Sequence, residues 1–260
     1  MYKISVITIC FNNLEELQAT CASVDKQLLP PHEHIIVDGS TNKAISNYLA
    51  TYTQPVYRKW KTEPDAGIAD AFNKGVQRAT GDIINMLNSA DQYYDEHVLQ
   101  TVSKAFDNDP ALAWLHGKYQ LQRGNIWVTI GKPFNAGKLY RGMRSISHQS
   151  MFVKKNLHDK YGLYDTSYKN AMDYDFLCRI SREKFLFINR PLIVFAPGGA
   201  TDTNYLRSLH ETKRSYVTHF GNPVLLNIWQ MRLKLLFHLL KSPLGKLLYK
   251  IKVALKLENM

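Results

Sequence analysis

Three aspartates stand where apolar, strand-like runs give way to polar turns, and one of them, Asp91, is placed to hold a divalent cation against a phosphate-bearing ligand. Ile83-Ile84-Asn85-Met86-Leu87 ends in Asn88-Ser89-Ala90-Asp91, His34-Ile35-Ile36-Val37 ends in Asp38-Gly39-Ser40, and Asp65 follows the β-rich Val56-Tyr57-Arg58-Lys59-Trp60. Hard cations take oxygen ligands, and Mg²⁺ or Mn²⁺ commonly bridges one or two carboxylates to substrate phosphates. Each turn taken singly also reads as an ordinary Asx turn at a strand end. A second acidic group lies in Asn170-Ala171-Met172-Asp173-Tyr174-Asp175-Phe176-Leu177-Cys178-Arg179. On a helix, residues i and i+2 do not share a face, so Asp173 and Asp175 have different roles. Asp175 is spaced to pair with Arg179 at i+4. Asp173 either complements the helix dipole or serves as an acid–base group.

The elements that must position these groups alternate through the first half. Ile4–Ile9 is a short β-rich run. Leu14, Leu17, Cys21, Val24 and Leu28 then recur at helical spacing behind Asn12 or Asn13 as N-cap. Strand-like 34–38, a short helix around Ile45 and Leu49, strand-like 56–60, and a helix with Ile68, Phe72, Val76 and Ala79 on one face follow; Gly81 stops the last. After the strand ending at Asn88, a helix carries Val98, Leu99, Val102 and Phe106. Such alternation predicts an α/β fold with a mostly parallel sheet between helices. Ligands bind such sheets beyond the carboxyl ends of their strands, so one crevice could collect Asp38, Asp65 and Asp91. Residues 111–155 predict strands and hairpins, with Gln122-Arg123-Gly124-Asn125 as a turn between Trp114–Tyr119 and Ile126–Ile130.

The chain has 260 residues and a net charge of +11. Its length allows one large or two small domains, and its charge predicts an anionic partner. Cys10, Cys21 and Cys178 form no ligand spacing, which fits reduced thiols in a cytosolic setting. The N-terminus carries no signal-peptide pattern, and no window of about 18 apolar residues predicts a membrane-spanning helix. From Val224 to Leu257 the chain is rich in leucine and lysine. Arg232, Lys234, Lys241, Lys246, Lys250, Lys252 and Lys256 are met by no acid before Glu258, and Leu244, Leu247, Leu248, Ile251 and Leu255 form one face beyond Pro243. A basic amphipathic helix of this kind lies in a membrane interface or packs on the body of the protein.

Four segments together resemble the family 2 glycosyltransferases of GT-A fold, especially the bacterial enzymes that build lipopolysaccharide, capsule and exopolysaccharide. They are Ser5–Asn12, His34–Ser40, the run Glu63-Pro64-Asp65-Ala66-Gly67-Ile68-Ala69-Asp70-Ala71-Phe72-Asn73-Lys74-Gly75, and Gly81–Asp91. Their order and spacing make the match specific over about the first 180 residues. The resemblance implies a Rossmann-like sheet, with residues 1–222 as the glycosyltransferase domain. Its nucleotide-binding half would be 1–110 and its acceptor-binding half 111–222, with 223–260 as a basic helical extension.

The resemblance also implies an inverting transfer from a nucleotide-diphosphate sugar, UDP-linked in the first instance. Thr8 and Asp38 would contact the nucleoside, Asp65 would face the nucleotide, and Gly67 would let the backbone approach it. Asp91 would hold Mn²⁺ or Mg²⁺, helped by Asn88 and Ser89, although Ala90 stands where the family commonly has another acid. Asp173 would be the general base. His148 and Gln149 would lie near the acceptor and diphosphate, with Thr201 in a glycine loop touching the diphosphate; Lys74 and Arg207 are further phosphate candidates. The acceptor would be a lipid-linked or polysaccharide glycan, reached by a cytoplasmic enzyme peripheral at the anionic inner face of the membrane. A non-catalytic scaffold, which Ala90 would permit, and a nucleic-acid-binding protein are the competing classes. No nucleic-acid-binding motif accompanies the charge.

Overall fold

The computed structural model describes residues 1–196, 204–243 and 245. Thr201 and its glycine loop, Leu244, and the tail from Lys246 onward lie outside the described residues. Nine strands are described in a single sheet. Its first half is parallel: β1 (Ile4–Cys10) lies between β2 (Glu33–Asp38) and β4 (Ile83–Met86), with β3 (Arg58–Thr62) outside β2. The strand expected at 56–60 thus begins two residues later. Beyond β4 the sheet becomes mixed. β8 (Met151–Lys154) pairs antiparallel with β4, then come β6 (Trp114–Arg123), β9 (Phe185–Phe195) and the short β5 (Gln92–Tyr93), with β7 (Ile126–Ile130) in a hairpin on β6. The predicted α/β fold with flanking helices is therefore the observed one.

Burial explains the parallel half. Every residue of β2 is buried, as expected of a strand covered on both faces. On one face Ile7, Ile35 and Val37 meet Phe72 and Val76 of α3 (Ile68–Arg78). Gly75 of α3 touches β1 so closely that a Cβ would stand 2.3 Å from Ile7 Cγ2. On the other face Cys10 and Ile36 meet Leu17 and Cys21 of α1 (Leu14–Asp25), with Ile45 and Leu49 of α2 (Ala44–Thr51). Val6, Ile83 and Phe152 pack on Leu99, Val102 and Phe106 of α4 (Val98–Asn108).

Two buried polar assemblies tie the strands together. Arg58 Nε donates to His34 Nδ1 at 3.2 Å, His34 Nε2 meets Thr8 Oγ1 at 2.9 Å, and Thr8 donates to Leu87 O at 2.7 Å. That chain fixes His34 with its proton on Nε2. Burial, then the adjacent Arg58 charge, lowers its pKa to about 3, so it stays neutral. Glu33 accepts from Ser5, Lys59 and Thr80. The three cysteines are buried and free, and burial raises each thiol, Cys21 to about 11 and Cys178 to about 12.

The remaining helices carry the other half of the site. After α5 (Asn156–Tyr161) comes α6 (Met172–Arg179), and against it packs α7 (Tyr205–Phe220). α8 (Val224–Lys241) lies on α7 and on the 3-10 turn Ala136–Arg141, burying Leu226, Gln230 and Leu233. This helix is no free extension, because its inner face belongs to the body. None of the described helices is long and apolar enough to cross a membrane.

Candidate active site

Parallel pairing brings the carboxyl ends of β1, β2, β3 and β4 to one edge, with Cys10 beside Asp38 and Asp38 beside Thr62. Asp38 is buried there, accepting from the Ser40 N–H at 3.0 Å and from Thr62 Oγ1 at 2.9 Å. Asp65 lies over it. Its Oδ1 accepts the Gly67 N–H at 2.9 Å, and its Oδ2 sits so close to Gly39 that a Cβ at position 39 would stand 2.0 Å away. Gly67 has φ +119 at the head of α3, a conformation that favours glycine. Asn12, itself left-handed at φ +54, spans to the neighbouring loop by accepting from Thr41 N–H and Asn42 N–H. Phe11 is exposed beside this rim.

Thr8 is placed otherwise than expected. Alternation along β1 turns its side chain toward the α1 layer with Val6 and Cys10, and its hydroxyl is engaged by His34 and Leu87. Lys74 pairs with Asp70 at 2.9 Å and donates to Pro64 O, so it braces the start of α3. Arg207 is exposed on α7.

Asp91 closes the same edge. It is only 4% exposed, accepting from Gln149 Nε2 at 2.8 Å through Oδ2 and from the Ala196 N–H at 2.9 Å through Oδ1. Burial raises its carboxyl to about 6, against those two bonds and the nearby His148. Ala90 adopts φ +85, strained for a residue with a Cβ. No group of three or more His, Cys, Asp or Glu placed to hold a metal ion occurs among the described residues. Two oxygens in the turn, Asn88 Oδ1 and Ser89 Oγ, are nevertheless buried without a partner among the described residues. One carboxylate with spare lone pairs and two neutral oxygens fits a hard cation that takes its other ligands from diphosphate and water.

Across the crevice, α6 presents Asp173. His148 Nδ1 lies 3.1 Å from Asp173 Oδ2, and His148 Nε2 lies 3.1 Å from Asn88 Nδ2. Asn88 can only donate through that nitrogen, so Nε2 accepts and the imidazole proton sits on Nδ1, directed at Asp173. The turn that bears Asp91 is thereby linked to the helix that bears Asp173 through one histidine ring. His148, Gln149, Asn88 and Asp173 line a single cleft.

The sequence profile of Glycosyl transferase family 2 matches residues 5–172 of this chain. The chain is a member of that family. An uncharacterized glycosyltransferase of Mycobacterium tuberculosis is 34% identical over 179 residues, 68% of each chain. A PGL/p-HBAD biosynthesis glycosyltransferase of Mycobacterium bovis is 25% identical over 178 residues, covering 67% of this chain and 68% of the other. Among solved structures, S. aureus TarS 1-349 in complex with UDP-GlcNAc superposes with a TM-score of 0.65 at 14% identity, over 88% of this chain and 70% of that one. Mannosyltransferase PcManGT from Pyrobaculum calidifontis, in complex with GDP-Man and Mn2+, gives 0.61 at 16% identity over 99% and 81%. These likenesses place this glycosyltransferase in the GT-A fold.

Two further residues brace the α6 side of the candidate site, and the first of them carries no local motif. Glu211 of α7, buried, accepts the backbone N–H groups of Lys169, Asn170 and Ala171, gripping the segment that leads into α6. Asp175 accepts from Arg179 Nε at 3.0 Å, as its spacing predicted, and also meets Ser215 Oγ at 3.1 Å and His219 Nε2 at 2.8 Å. Glu211, Ser215 and His219 recur on one face of a helix that sequence alone gave no reason to associate with Asp173.

Proposed function

We propose that this glycosyltransferase moves a sugar with inversion from a nucleotide diphosphate, UDP in the first instance, to a hydroxyl of a lipid-linked or polysaccharide acceptor in cell-surface glycan synthesis. The observation that carries the reading is the Asn88–His148–Asp173 chain, which sets a carboxylate opposite the Asp91 turn in one cleft. The UDP-GlcNAc in TarS and the biosynthetic role in the name of the M. bovis relative support the donor and product classes.

In this reading residues 1–110 hold the nucleotide, with Asp38 and Asp65 toward the nucleoside and Gly67 giving close backbone approach. Residues 111–222 hold the acceptor. The acceptor oxygen attacks the anomeric carbon from the face opposite the diphosphate. A new C–O bond forms, the bond from that carbon to the diphosphate oxygen breaks with its electron pair, and the hydroxyl proton passes to an Asp173 oxygen. His148 holds that carboxylate in place through its Nδ1–H. Asp91, with Asn88 and Ser89, would hold Mn²⁺ or Mg²⁺, which when bound would offset charge on the departing diphosphate. Gln149 orients Asp91. The exposed apolar side of α8 and the basic residues of 223–260 support association with the anionic inner face of the membrane.

The test is calorimetric titration with UDP, GDP and dTDP, each with and without Mn²⁺. Cation-dependent binding of one nucleotide is expected and names the donor; no binding of any by folded protein would favour a non-catalytic scaffold.

A further inference from the structure

Positive charge gathers around Trp229. Arg141 ends the turn Ala136–Arg141, Arg144 follows it, and Arg232 lies on α8. Their guanidinium carbons stand 5.2, 5.3 and 5.0 Å from the Trp229 ring centroid. Carboxylates pair with Arg58, Arg78, Arg179 and Arg190. Among the described residues, none pairs with Arg141, Arg144 or Arg232. Three like charges around one ring repel, and the ring face offsets only part of that. An anion would offset the rest.

Two buried polar atoms of α8 also lack partners among the described residues. Trp229 Nε1 and Gln230 Oε1 are buried without a hydrogen bond, and Gln230 is 4% exposed. Gln230, Arg141 and Arg144 line the cleft that holds Asp173. A free amide oxygen at the cleft suits a sugar hydroxyl. On the outer side of α8, Leu225, Ile228, Met231, Leu235 and Leu239 recur every three or four residues, each between 42% and 63% exposed. The charge cluster therefore borders an apolar stripe.

We infer that Arg141, Arg144 and Arg232 form a diphosphate site that holds the acceptor by its lipid-linked diphosphate. The hydrocarbon follows the stripe on α8, and the sugar passes Gln230 toward Asp173. Guanidinium forks match phosphate oxygens in pairs, which suits arginine over lysine here. The inference rests on the transferase reading of the cleft and adds the acceptor's chemical class. Phosphate at this surface has two sources, an acceptor diphosphate or the headgroups of anionic lipids.

Sedimentation of the full chain with vesicles separates them. Phosphatidylcholine vesicles carry either farnesyl diphosphate or, at equal surface charge, phosphatidylglycerol. The expected result is about tenfold tighter retention on the diphosphate vesicles, lost in Arg141→Gln/Arg144→Gln. Equal retention on both vesicles, or a margin that survives the double variant, would overturn the site. If that variant misfolds by circular dichroism, Arg144→Lys replaces it, keeping the charge without the fork: a reduced margin supports the site, and an unchanged one overturns it. No donor or turnover is involved, so the nucleotide titrations can fail or succeed separately.

Discussion

Glu211 Oε2 accepts the Ala171 N–H at 3.1 Å, and through that bond α7 sets the position of the helix carrying Asp173. The same carboxylate takes the Lys169 and Asn170 N–H groups. Glu211→Ala leaves these donors without it and should cost about 3 kcal/mol of stability. Transfer should fall with it while nucleotide affinity stays within a few-fold, because the donor edge lies on other elements. Glu211→Gln, which keeps one acceptor oxygen, should recover part of both losses. Thermal unfolding and steady-state kinetics on the two variants check this.

Asp173→Asn removes the proton acceptor and leaves the shape. Transfer should drop by about 10²–10⁴-fold, with nucleotide binding kept. His148→Gln, which touches the carboxylate without replacing it, should cost less, on the order of tenfold, and act on kcat more than on donor affinity. Full turnover in Asp173→Asn would remove the residue from that role.

Gly39→Ala tests the donor edge through space rather than charge. Its Cβ would stand 2.0 Å from Asp65 Oδ2, so Asp65 must turn away. Nucleotide affinity should fall by at least about tenfold, with the unfolding midpoint little changed because the loop lies at the rim. Calorimetry with the nucleotide that the wild type prefers decides it.

Those three sites differ in how far sequence revealed them. Asp38, Asp65 and Asp91 were legible because each ends a strand-like run, and parallel strands must deliver their ends to one edge. Asp173 was legible only as one of two acids on different faces of a helix; its reading as a base came from the family resemblance, because an acid in a first helical turn also complements the dipole. The nucleoside role of Thr8 came from the resemblance, which carries no information on the facing layer; strand parity and the His34 ring decide where its hydroxyl goes. Glu211 lies 40 residues beyond Ala171, and no local spacing announces a bond made by tertiary packing. The C-terminal segment was legible as amphipathic, but burial of Leu226 and Leu233 depends on the turn at 136–141.

Acid should weaken the fold in two overlapping ranges. His34 and His158 have pKa values lowered to about 3, by burial first and by neighbouring positive charge second. The unfolded chain binds these protons from about pH 6.5 downward and the folded chain does not, so their contribution is complete above that pH and is lost on falling toward pH 3. Glu33 adds a lower range. Burial would raise it, but bonds from Lys59, Thr80 and Ser5 hold it at about 2, so its stabilisation fades as pH falls from 4.5 toward 2. The His158 ring nitrogens have no hydrogen-bond partner among the described residues, and the ring stacks on Phe176 at 4.3 Å, so His158→Phe should flatten the upper range without breaking a side-chain bond. Denaturant midpoints taken across the pH series read the slope directly.

Cys10, Cys21 and Cys178 are sealed in the interior with their thiols held protonated at neutral pH. Alkylating reagents attack thiolates, so the folded chain should be silent toward maleimide and iodoacetamide. Incorporated label then counts unfolded molecules. A cysteine introduced at Leu235 would be the sole reactive position for a polarity-sensitive fluorophore, and its emission would report directly whether that side of α8 meets water or hydrocarbon.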